Sequence, residues 1–136
     1  MSKSETTPDT LTIIINNEER ELFMSFGLLN ELTIIVGDPS RVGSITLEPD
    51  LREKFLTALY AKRKKSGKIE DTVEYDDLEI ALEDVDKSLT WAQEHVLSFF
   101  VRSFRNIQMV TDKYSAEITS LTSSLDGSKN SASKKP

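Results

Sequence analysis

Apolar positions near the start of the chain fall into two short segments, Leu11-Thr12-Ile13-Ile14-Ile15 and Arg20-Glu21-Leu22-Phe23-Met24, separated by the polar Asn16-Asn17-Glu18-Glu19. β-Branched residues dominate the first cluster, and the Asn pair between them suits a tight turn, so the segment predicts strand, turn, strand: a small β-hairpin. The rhythm then changes. Ser25 is placed to cap a helix opening at Phe26, and Leu28, Leu29, Leu32, Ile35 and Val36 recur at spacings of three and four until Gly37-Asp38-Pro39 stops it. A second helix is expected to open at Glu48-Pro49-Asp50, with Leu51, Phe55, Leu56, Leu59 and Tyr60 on its buried side and Gly67 at its end. A third, short helix is expected after Asp76, where Glu79 completes a capping box and Leu78, Ala81, Leu82 and Val85 form the apolar side.

The last pattern is the longest. Leu89, Ala92, Val96, Phe100, Phe104, Ile107, Val110, Tyr114, Ile118, Leu121 and Leu125 recur at a mean spacing of 3.6, the period of an α-helix. A helix of that extent is about 55 Å long, against a radius of gyration of about 14 Å for a compact chain of this size. It must therefore bend, break, or project and find a partner for its distal stripe. Between Val96 and Phe104 apolar residues occupy more than one face, which predicts enclosure; beyond Ile107 the polar positions are mostly Ser and Thr, which compete with the helix for backbone hydrogen bonds.

Charge changes the picture in two places. Lys62, Arg63, Lys64, Lys65 and Lys68 form one basic cluster, read as the last turn of the second helix at the negative end of its dipole. From Glu70 to Asp86 nine acidic residues follow without a Lys or Arg, and the two blocks are complementary within one chain or between two. Over all 136 residues the net charge is −6, which opposes binding to nucleic acid or an anionic membrane surface. No apolar run reaches the roughly 18 residues of a membrane helix, and residues 1–9 lack the apolar segment of a signal peptide, so a soluble intracellular protein is expected.

Candidate chemistry is thin. The absence of cysteine removes disulfides, thiolate metal sites and thiol catalysis, and His95 is the only histidine. The acidic run lacks the spacing of an EF-hand loop, and there is neither a nucleophile elbow nor a Gly-rich phosphate loop. No enzyme activity, metal or cofactor is expected.

Several stretches resemble tail assembly chaperones of long-tailed bacteriophages: Met24-Ser25-Phe26-Gly27-Leu28-Leu29-Asn30-Glu31-Leu32 with Val36-Gly37-Asp38, then Glu48-Pro49-Asp50-Leu51-Arg52, Lys65-Ser66-Gly67-Lys68-Ile69, and Asp84-Val85 leading to Trp91 and Glu94-His95-Val96-Leu97-Ser98-Phe99-Phe100. The resemblance covers about residues 22–104. It implies a non-enzymatic factor of the host cell cytoplasm that keeps the tape measure protein soluble while tail tube subunits gather; self-association is expected separately, because the final helix stripe outreaches one small core. The corresponding mechanism is an apolar groove using Phe26, Leu29, Trp91 and Phe99 together with the distal stripe of Tyr114, Ile118 and Leu121. The alternative is a virion adaptor or connector-type subunit acting through self-association.

The expected fold is mainly α, a small N-terminal β-hairpin followed by a helical domain ending in a long C-terminal helix. Residues 1–9 are expected to be disordered, 10–107 to form the domain, 108–125 to extend its last helix toward a partner, and 126–136 to be a flexible tail.

Overall fold

The computed structural model describes residues 6–134, with side chains described to residue 123. Strands β1 (Thr10–Ile15) and β2 (Glu18–Phe23) pair antiparallel, Ile15 opposite Glu18 and Thr10 opposite Phe23. The turn is tighter than the four polar residues suggested: Asn16 and Asn17 alone make it, both at positive φ (53° and 64°). Asn tolerates that region, and the resulting turn matches the strands' twist. Helix α1 (Phe26–Val36) begins where expected, with Ser25 Oγ accepting from Leu28 N at 3.1 Å, and ends on Gly37, whose amide donates to Thr33 O. A 3-10 segment (Pro39–Ser44) leads to α2 (Pro49–Tyr60).

Here the structure corrects two expectations. Helix α2 stops at Tyr60, seven residues before Gly67; Lys62–Arg63 form β3, which pairs with β4 (Ile69–Asp71) around a turn in which Gly67 N donates to Lys64 O. The basic cluster therefore does not cap a helix dipole. Its first two members meet the acidic run through the backbone, Lys62 opposite Asp71, but form their ion pairs outside it: Lys62 with Glu18 at 3.7 Å and Arg63 with Glu31 at 2.9 Å. The expected short helix after Asp76 is also absent. Tyr75–Asp77 is a single 3-10 turn, Ile80 bridges Ile15, and the next helix, α3, starts at Leu82 and runs to Lys134. Long-range bonds replace the capping box: Asn16 N donates to Glu79 O, Glu79 N donates to Asn16 Oδ1, both at 2.8 Å, and Ile14 N donates to Asp84 Oδ2 at 3.3 Å. Part of the acidic run thus covers the outer edge of β1.

The chain divides into two units, residues 1–100 and 101–136. The core of the first is built from one face of the hairpin (Ile13, Ile15, Leu22), from α1 (Leu28, Leu32, Val36), from α2 (Phe55, Leu56, Leu59, Tyr60) and from the start of α3 (Leu89, Trp91, Ala92, Val96). Alternation does the sorting on β1, where Ile13 and Ile15 are buried and Ile14 is exposed. Two stretches far apart in sequence meet in this unit. A Cβ on Gly27 would lie 2.7 Å from Ser66 O and 2.9 Å from Gly67 Cα, while Gly67 itself sits at φ 101°. Only glycines allow the start of α1 and the β3–β4 turn to touch there.

In the second unit every residue from Phe104 to Ser123 is exposed. Of the segment expected to be disordered, residues 1–5 lie outside the described residues; Pro8 and Asp9 are tied down, Asp9 O accepting from Met24 N at 2.8 Å. The expected tail over 126–136 falls where side chains are not described, and its last two residues lie outside the described residues.

Candidate protein interaction surface

The seven residues singled out from the sequence occupy three kinds of surroundings. Phe26, at the first turn of α1, is 76% exposed, while Leu29, one turn on, is half-buried against the core. Trp91 is a core residue, 5% exposed, and its indole Nε1 donates to Pro8 O at 2.7 Å. His95 Nε2 donates to the same carbonyl at 2.7 Å and its ring meets Trp91 edge-on, centroids 5.3 Å apart. One carbonyl with two lone pairs serves both donors, while Glu94 is exposed. Phe99 is half-buried, edge-on to Phe100 at 6.1 Å. Tyr114, Ile118 and Leu121 are exposed along one face of the second unit.

That face extends further than the three. Phe104, Ile107, Tyr114, Ile118 and Leu121 are all between two-fifths and two-thirds exposed, and with Thr111 in the series the spacing alternates three and four from Phe104 to Leu121. Such alternation is a heptad a/d seam, a pattern masked when Val110 is counted in place of Thr111. Positions flanking the seam are nearly uncharged: Gln108, Val110, Ser115 and Thr122, with Glu117 the exception. The polar bonds of this stretch are local, Gln108 Nε2 to Asp112 Oδ1 at 2.9 Å and Ser115 Oγ to Asp112 O at 3.0 Å.

Groups that could do chemistry are few. Among the described residues no cluster of three or more His, Asp or Glu could hold a metal ion. Burial pushes the Tyr60 hydroxyl up to about 12, against a smaller opposing pull from the Ser88 hydroxyl, so it stays protonated and unreactive at neutral pH. Hydrogen bonds from the Ser40 amide and hydroxyl, at 2.8 and 2.7 Å, hold Asp38 below its ordinary value; this carboxylate caps the 3-10 segment. No helix among the described residues is long and apolar enough to cross a membrane. No protein family, curated protein or solved structure matches the chain.

Proposed function

We propose that this chain is a non-enzymatic assembly factor of the phage tail chaperone kind: in the host cytoplasm it covers amphipathic helices of the tape measure protein, keeps that long client soluble, and helps recruit tail tube subunits. One observation supports the reading above the others, the seam from Phe104 to Leu121, apolar at every position but Thr111, on a fully exposed helical stretch. A helix-in-groove or helix-on-helix contact needs anchors at this spacing, and burial yields about 25 cal/mol per Å² of apolar surface removed from water. The family resemblance of residues 22–104 supplies the identity of the client.

Co-expression with the neighbouring large helical tape measure candidate tests it. The client is expected to become soluble and to co-purify, and Ile118→Asp with Leu121→Asp to abolish both effects. A client that stays insoluble beside the wild-type chain overturns the reading.

The heptad spacing favours a second reading, an adaptor or connector-type virion subunit whose seam pairs with further copies of itself, since its nearly uncharged flanks raise no like-charge barrier. Purified particles separate the two: a chaperone is missing from them, and an adaptor is present at fixed copy number.

A further inference from the structure

The basic cluster that the helix dipole was expected to explain has no such explanation in the structure, because α2 ends before it. Instead, Lys62 to Lys65 form one wall of a cleft of about 550 Å³ within the first unit, whose other wall is β2. Leu22, Leu28 and Leu59 give the cleft an apolar floor. Arg20 reaches across from β2, donating to Tyr60 O at 2.7 Å and Ala61 O at 3.4 Å. Those partners are neutral, and among the described residues no carboxylate lies within ion-pair distance of Arg20, Lys64 or Lys65. Arg63 is more deeply set, its side chain 8% exposed; Glu31, Ala58 O and Gly67 O take its terminal nitrogens, and its Nε is buried without a partner. Glu21 is the one acid on the lining.

We propose that this cleft is a docking site for an acidic, extended peptide segment of a protein partner. Charge complementarity identifies the occupant. In a chain of net charge −6, a local surplus of cations with unsatisfied guanidinium capacity, one of them partly desolvated, attracts carboxylates. Burial lowers Arg20 from its ordinary value, and the nearby charge of Glu18 offsets this only in part. Leu22, Leu28 and Leu59 are already buried, so the selection of a peptide over a free phosphate or a nucleic-acid backbone falls to the unpaired edge of β2, to which only a polypeptide backbone can add as a strand. Strand order supplies the backbone contacts: β2 pairs with β1 alone in its sheet, leaving its other edge open to strand addition. This inference stands apart from the proposed function, which uses the second unit.

The test is a titration of the full chain with three fluorescein-labelled probes: a capped peptide alternating glutamate and valine, its lysine and valine counterpart, and a single-stranded oligonucleotide of equal charge to the acidic peptide. The acidic peptide is expected to bind saturably, more weakly at high salt, and to perturb backbone amides at Arg20–Phe23 and Lys62–Lys65. The double variant Lys64→Glu with Lys65→Glu, both exposed, is expected to lower affinity about tenfold or more with unchanged thermal melting; Arg20→Gln should do the same but also touches the fold. Absence of saturable binding, equal binding of the basic peptide or the oligonucleotide, perturbations elsewhere, or indifference to the double variant each overturns the proposal.

Discussion

Helix α3 keeps one period along its length and lives in two kinds of surroundings. In residues 82–100 Leu89, Ala92 and Val96 are buried, and polar groups reach other elements: Gln93 Nε2 donates to Val42 O at 2.9 Å, and Trp91 and His95 both bond Pro8. In residues 101–123 the corresponding apolar positions are exposed, and the bonds of Gln108 and Ser115, both to Asp112, stay within the helix. Periodicity therefore defines a face without defining what covers it. The first stretch owes its place to complementary faces on the hairpin, α1 and α2; the second has only helix propensity and local pairs to hold it, terms worth a few tenths of a kcal/mol each.

Breaking the first stretch should have the largest effect. Val96→Asp places a carboxylate at a site with no exposure, a cost of about 4 kcal/mol or more that should unfold the first unit or drastically lower its urea midpoint. Next comes Gly27→Ala. The added methyl meets backbone of Ser66 and Gly67 inside normal contact distance, and backbone cannot swing aside as a long side chain does. A loss of roughly 2 kcal/mol is expected, seen as a lower urea midpoint at unchanged m-value.

How far the sequence foretells this structure depends on whether local chemistry or distant pairing decides a segment. Helix α1 was legible because Ser25, the three-and-four apolar spacing and Gly37 agree, and the hairpin because β-branched clusters flank a turn pair. The end of α2 was not legible. Lys62 to Lys65 look like a last helical turn, yet Arg63 folds back to Ala58 O at 2.7 Å and to Glu31, thirty-two positions away, and the chain turns into β3. Residues 76–85 likewise carry a local helix signal, overridden by the Ile15–Ile80 bridge and the bonds between Asn16 and Glu79. Trp91 reads from the sequence as an anchor for a partner; Pro8 O, eighty-three positions away, gives its indole a partner inside the fold. The stripe of the second unit was legible as a stripe, and its heptad register was hidden because one seam position, Thr111, is polar.

Tyr60 sharpens the comparison from the packed side. In the folded state its hydroxyl is pushed up to about 12 from an ordinary value near 10, chiefly by burial. A raised folded value means that its contribution is fully present below pH 10 and is lost as pH rises through 12, because the unfolded chain releases that proton first. The loss is of order 2 kcal/mol. Tyr60→Phe should flatten that part of the stability profile while changing little at neutral pH, since its hydroxyl is buried without a hydrogen-bond partner of ordinary geometry. Identical alkaline profiles for the two proteins would place the loss elsewhere.

The smallest expected effect on folding is the one that isolates the second stretch. Ile118→Asp changes a half-exposed apolar side chain on a helical face where every neighbour from Phe104 to Ser123 is also exposed. Nothing needs to be dehydrated in the folded chain, so the unfolding free energy of the first unit should move by less than about 0.5 kcal/mol. Trp91 is the sole tryptophan and lies in that core, so its fluorescence during urea unfolding reports the first unit. Binding should behave oppositely, because in a seam covered by another helix the same carboxylate is desolvated without a partner. An unchanged Trp91 midpoint together with lost client or self-association separates the face from the fold; a shifted midpoint at low protein concentration would mean that Ile118 supports the packed unit, and the contrast between the two stretches would fail.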